Sequence, residues 1–153
     1  MRPGAQVPED DGPTIETMTT RVAGLTGATL ATAPGVCHER IWWQTEWGES
    51  LDKRRWIDKA EREWGSWGTV YYDEDGRVLG SMQFGPASLF PRAAELPAGP
   101  PSDDAVLVTC AYLVDLSSPW VMQSLFLTAI GEARDRGAGA LETSRTAIRR
   151  ASR

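Results

Sequence analysis

The chain has 153 residues, 41% of them hydrophobic, and a formal net charge of −5. That length suffices for one domain with its own core, and the acidic balance argues against a nucleic-acid partner, which a basic surface would serve. No apolar run reaches the ~20 residues of a membrane span. The polar, acidic start resembles neither a signal nor a transit peptide, so a cytoplasmic protein with no membrane partner is expected.

Residues 1–18, with Pro3, Pro8, Pro13, Glu9, Asp10 and Asp11, read as a disordered extension with nothing to bury. Residues 19–143 read as a single domain and 144–153 as a basic C-terminal tail. The stretch TRVAGLTGATLATAPGV has little periodicity and reads as loop with one weak strand. CHERIWWQTEWG is dense in tryptophan. Cys37 and Cys110 are too far apart for a compact metal motif and read as reduced thiols. His38 is the sole histidine, which argues against zinc and against Ser–His or Cys–His catalysis.

SLDKRRWIDKAEREWG predicts a helix, with Leu51, Arg55, Ile57, Ala60 and Trp64 at near-helical spacing. Ser50 is the expected N-cap and Gly65 the residue past its end. A hairpin follows, with strands TVYY and RVLGSMQF joined by Asp73-Glu74-Asp75-Gly76. Residues 85–103 carry five prolines and read as a long loop without regular elements. DAVLVTCAYLVD is a nearly continuous apolar run, the mark of a strand buried on both faces. Gln123 to Arg136 reads as an amphipathic helix with Leu125, Leu127, Ile130 and Ala133 inward, stopped by Gly137. GALET is a short strand, parallel to the apolar one by the crossover rule. The order predicts an α/β class protein built on a mixed sheet.

The strand-to-helix loop, LSSPW, lies where α/β proteins bind phosphate, because the first helical N–H groups are unpaired. It contains no glycine. Ser117 and Ser118 fit a phosphate contact or a plain capping role. Asp103, Asp104 and Glu142 are candidate proton-transfer groups, with solvated surface positions the blander alternative. Trp42, Trp43, Trp47, Trp56, Trp64 and Trp67 would either line an acceptor pocket or pack a small core. Tyr71, Tyr72 and Tyr112 fit sheet or core positions.

Taken in order, CHERIWWQ, Lys53 and Trp56, Glu63-Trp64-Gly65, Gly68 and GRVLGSMQFGPASLFPRAAELPAGPPSDDAVLVTC resemble an actinobacterial branch of the GNAT superfamily of acyl-CoA N-acetyltransferases. The resemblance spans roughly residues 37–143. It implies an acyl-CoA N-acyltransferase-like fold whose central strand and next parallel strand diverge around the pantetheine arm of acetyl-CoA. It implies pantetheine contacts through the backbone of Tyr112, Leu113 and Val114. Val121, Met122, Gln123 and Ser124 would open the helix and present N–H groups to the pyrophosphate. The acetyl carbonyl would be polarised by a central-strand N–H, and a small-molecule or protein amine would attack the thioester directly. The residues that would exchange the protons stay unassigned.

The chain departs from this family at the pyrophosphate loop. Where the family has (Gln/Arg)-x-x-Gly-x-(Gly/Ala), this chain has SSPWVMQS, with Trp120 and Met122 near the glycine positions, where side chains would crowd the pyrophosphate. Family members continue beyond the GALET strand with another helix and a hairpin, so the fold is expected to be C-terminally incomplete. An open edge after GALET invites strand pairing, so the alternative is an inactive acetyltransferase-like domain that binds a partner or forms a homodimer.

Overall fold

The computed structural model describes residues 21–33 and 40–143. The expectations for residues 1–18, Cys37, His38 and the 144–153 tail lie outside them. The described residues form a mixed α/β structure, with one five-stranded sheet ordered β1-β2-β3-β4-β5. The strands are β1 (Arg21–Gly24), β2 (Gly68–Tyr72), β3 (Val78–Pro86), β4 (Ala105–Leu113) and β5 (Ala140–Thr143). The first four pair antiparallel, and β5 pairs parallel with β4, as the crossover rule requires. The helices are α1 (Gly27–Leu30), α2 (Lys53–Glu63) and α3 (Pro119–Asp135). Among the described residues no helix is long and apolar enough to cross a membrane.

Alternate residues of a strand point to opposite faces, and the core divides accordingly. Val70 and Leu107 face a cluster with Trp43, Trp56, Ile57, Trp67, Leu89 and Phe90. Tyr71, Met82, Phe84, Val106 and Val108 face α3 through Val121, Leu125, Ala129 and Ala133. β4 is therefore buried on both sides from Ala105 to Thr109, which is why its sequence shows no alternation.

The α2 helix matches its pattern and its Gly65 stop, and differs at the N-cap and at Arg55. Asp52 rather than Ser50 is the N-cap, its side chain accepting from Arg54 N–H. Trp56 is buried, and Arg55 is exposed. Gly65 follows the C-cap at φ +112°, the left-handed conformation that ends helices. The hairpin turn closes through Asp73, whose carboxylate accepts from the N–H groups of Asp75 and Arg77.

The 85–103 segment differs from the expected structureless loop. It holds two 3₁₀ turns, Ala87–Leu89 and Pro91–Glu95. Leu89 and Phe90 are fully buried against Trp56, whose indole N–H donates to the Leu89 carbonyl at 2.9 Å. The prolines stop longer helices, but the apolar residues between them are drawn into the core.

The α3 helix starts at Pro119, four residues earlier than expected, because proline is well suited to the first helical position. Its inward face also differs. Leu125 and Ala133 are buried as expected, whereas Leu127 and Ile130 are 65% and 49% exposed. The buried row runs Val121, Leu125, Ala129, Ala133 at i, i+4 spacing. Ala129 and Ala133 let the helix approach the sheet closely, which the bulkier row would prevent.

Candidate functional site

Two neighbouring features of β4 carry the polar chemistry of the sheet. The first is a β-bulge. Gln83 pairs with Cys110 but Phe84 pairs with Val108, leaving Thr109 as the extra residue on β4. A bulge disrupts the ladder and re-aims side chains, and bulges occur often beside active sites. Here Gln83 Nε2 donates to Thr109 Oγ1 at 2.8 Å, and Gln44 Nε2 donates to Gln83 Oε1 at 3.0 Å. A cavity opens beside this chain, bounded by Gln44, Gln83, Ser81, Trp67 and Lys53.

Gln44 lies in a turn, and Arg92 holds that turn in place. The Arg92 side chain is buried, with Nε donating to the Trp42 carbonyl at 3.1 Å and Nη2 to Thr45 Oγ1 and the Glu46 carbonyl at 3.3 and 3.2 Å. Its guanidinium lies 5.0 and 5.2 Å from the ring centroids of Trp42 and Trp47. Glu95 is its sole acidic partner among the described residues, at 3.9 Å. A buried cation held by carbonyls and ring faces is costly to truncate, because the acceptors lose charge-assisted bonds. Arg92→Met is expected to cost about 3 kcal/mol in urea unfolding. Arg92→Lys should recover little of it, since an ammonium cannot reproduce the planar fork. A loss below about 1 kcal/mol for Arg92→Met would refute this role.

The second feature is the exit of β4 into α3, where the resemblance puts the cofactor. Tyr112 and Leu113 end β4, and Val114 follows it. Val114 N–H donates to the Leu79 carbonyl, so its backbone faces β3. Strand alternation then turns Tyr112 toward β3 as well and leaves Leu113 facing the opposite edge, joined by Ala111. Among the described residues β5 pairs with β4 over Ala105–Val108 alone, short of that edge.

At the start of α3 the supply of N–H groups is small. Ser118 N–H donates to the Asp115 carbonyl, Pro119 has none, and Val121 N–H donates to the Ser118 carbonyl. Trp120 N–H is a first-turn donor without a partner among the described residues. Met122, Gln123 and Ser124 come later in a helix that begins at Pro119, and the N–H groups of Gln123 and Ser124 fall to intrahelical bonds. Ser118 is the N-cap but makes no side-chain cap bond, and the Trp120 side chain is 54% exposed. Sequence reading overlooked Asp115, which accepts from the Ser117 hydroxyl at 2.7 Å and the Ser117 N–H at 2.8 Å.

The Ser117 hydroxyl, then its N–H, hold the Asp115 carboxyl below its usual value, against some desolvation and with the smallest contribution from Ser118. A carboxylate with a lowered folded value adds stability above the unfolded pKa, near 4, and loses it as pH falls through the folded value. The expected result is a carbon-detected NMR titration in which the Asp115 midpoint lies below that of an aspartate in an unstructured reference peptide, and in which Ser117→Ala moves it upward. A midpoint at or above the reference in the unaltered chain would overturn the assignment.

The other candidate residues are dispersed. Asp103 and Asp104 are exposed just before β4, at the end opposite Leu113, and the strand's eight steps alone separate the two ends by about 26 Å. Glu142 bonds the N–H and hydroxyl of Ser102 and borders a separate cavity with Leu96, Pro100 and Leu107. Trp43, Trp56 and Trp67 are core residues, Trp64 is half-buried, and Trp42 and Trp47 flank Arg92. Tyr71 is buried, and Tyr72 bonds Thr32 through its hydroxyl. No protein-family model matches the chain, and no curated protein matches it.

Proposed function

We propose that the chain is an acetyl-CoA-dependent N-acetyltransferase of the GNAT superfamily, transferring an acetyl group to a primary amine of a small molecule or protein. The supporting observation is β4 itself. It is bulged at Thr109, joined to a parallel β5 through α3, and unpaired by described residues along the Ala111–Leu113 edge. The backbones of Ala111 and Leu113 would pair with the amide-bearing pantetheine arm, whose thioester supplies the activated acetyl group.

The pyrophosphate is a poorer fit. A proline, the bonded N–H groups of Ser118 and Val121 and the ionised Asp115 make the start of α3 weakly receptive to an anion. That observation favours a second reading, a non-catalytic acetyltransferase-like domain that binds a partner or pairs with a second copy.

Thermal shift separates the two readings. At ~100 times its dissociation constant, acetyl-CoA should stabilise the fold by about 2.7 kcal/mol, which raises the melting temperature by roughly 5–10 °C in a domain of this size. S-Acetylpantetheine, which lacks the pyrophosphate, tests the β4 edge alone. Asp115→Asn should tighten acetyl-CoA binding several-fold, more so at low salt, and leave S-acetylpantetheine unaffected. No shift with either ligand at millimolar concentration removes the enzyme reading.

A further inference from the structure

We propose that the cavity beneath the Thr109 bulge binds the neutral polar end group of a small molecule, specifically a primary carboxamide. The inference is independent of the acetyltransferase reading, since it rests on the cavity's own polar atoms.

Two buried side chains around this cavity have hydrogen-bonding atoms without partners among the described residues. Gln44 is 5% exposed and its Oε1 accepts nothing, while Trp67 is 1% exposed and its Nε1–H donates to nothing. Both residues line the cavity. Buried polar atoms are nearly always satisfied, and leaving one unsatisfied is costly. One orphan acceptor and one orphan donor on the same cavity describe a ligand group with the complementary pair.

The Gln44 acceptor is held in its orientation by a directional chain. Gln44 Nε2 donates to Gln83 Oε1, Gln83 Nε2 donates to Thr109 Oγ1, and Thr109 Oγ1 donates to the Gln83 carbonyl. With its amide nitrogen committed to Gln83, Gln44 presents Oε1. A carboxylate there would set oxygen against oxygen. An ammonium has donors alone and would leave the Trp67 indole N–H without an acceptor. A primary carboxamide supplies a carbonyl for the indole N–H and an N–H for Gln44, and it is uncharged. The space, about 20 Å³, takes one small group, so the body of the ligand would sit outside, toward exposed Arg40.

The test uses the indole N–H signals of the full chain labelled with nitrogen-15, with Trp67 assigned from Trp67→Phe. Acetamide, acetate, methylammonium and ethanol are titrated separately to about 100 mM. The expected result is a saturable downfield shift of the Trp67 indole proton with acetamide, at an affinity at least tenfold above acetate and methylammonium. Gln44→Met, which removes the acceptor at similar volume, should weaken acetamide at least tenfold while the chain stays folded. Absence of a saturable Trp67 shift, an equal response to all four probes, or a folded Gln44→Met chain that binds acetamide unchanged would each overturn the proposal. So would a cavity that retains a bound water at saturating acetamide, because water alone would then satisfy both atoms. The titrations of the unaltered chain decide the matter even if Gln44→Met does not fold.

Discussion

Gly68→Ala is expected to destabilise the chain by about 4 kcal/mol or more, enough to unfold much of a marginally stable domain. Gly68 opens β2 with φ +157°, and a Cβ there would lie 2.2 Å from the Met82 carbonyl oxygen and 3.1 Å from the Gln83 Cα. Both are backbone atoms of the paired strand, so no rotamer change relieves the overlap. The Gly68 carbonyl also accepts from Leu25 N–H, so moving β2 away from β3 disturbs the attachment of β1. Gly76→Ala provides the control. Gly76 has φ +77° but open space around it, so alanine there should cost only ~1 kcal/mol of backbone strain. Urea unfolding of both variants measures the difference. Similar costs would mean that conformation alone, and not the close approach of two strands, requires glycine at residue 68.

Trp56→Ala should be comparably damaging, at about 5 kcal/mol. Truncating a buried tryptophan costs ~3–5 kcal/mol through lost contacts and the cavity left behind. Here the Leu89 carbonyl also loses its donor, a further ~1–3 kcal/mol where no water reaches it. Trp56 stacks edge-on against Trp67 at 5.1 Å and tilted against Phe90 at 5.7 Å, joining α2, the start of β2 and the 3₁₀ turns. Trp56→Phe keeps most of the ring contacts and removes the bond to Leu89, so it should cost about 1–3 kcal/mol. If the alanine and phenylalanine variants unfold at the same urea concentration, ring packing contributes little and the account fails. The Trp56–Trp67 contact also predicts that a folded Trp56→Phe chain shows a perturbed Trp67 indole signal.

Much of the architecture is legible because its signals are local. Asp73 through Gly76 specify a turn between two strands by their own hydrogen bonds and backbone freedom. The α2 charges and apolar residues repeat at helical spacing, and Gly65 and Gly137 end α2 and α3 for the same conformational reason. The unbroken apolar run of β4 declares burial on both faces, and the helix that follows requires a parallel return.

Elsewhere several outcomes fit the same letters. The α3 helix carries two apolar rows, and periodicity weighs Leu127 and Ile130 no less than Ala129 and Ala133. Only the distance between helix and sheet selects the row with small residues. Prolines in the 85–103 segment announce interruption but say nothing of Leu89 and Phe90, whose burial depends on Trp56 more than 30 positions away. Nothing local to Arg92 announces the two tryptophan rings and three acceptors that surround it, all of them from a segment more than 40 positions away.

The same holds most strongly at the candidate sites. Ser117, Ser118 and Trp120 are visible in a glycine-free loop, yet which N–H groups remain free at α3 depends on where the helix starts and how Asp115 caps the turn before it. Gln44, Gln83 and Thr109 come from a turn and two strands, and a one-residue bulge sets them in a single hydrogen-bonded chain. Local pattern suffices for helices, turns and the doubly buried strand, since neighbouring residues interact over the length of one element. Register, helix orientation and the cavity beside Trp67 arise from contacts between distant segments, whose competition no local stretch of residues records.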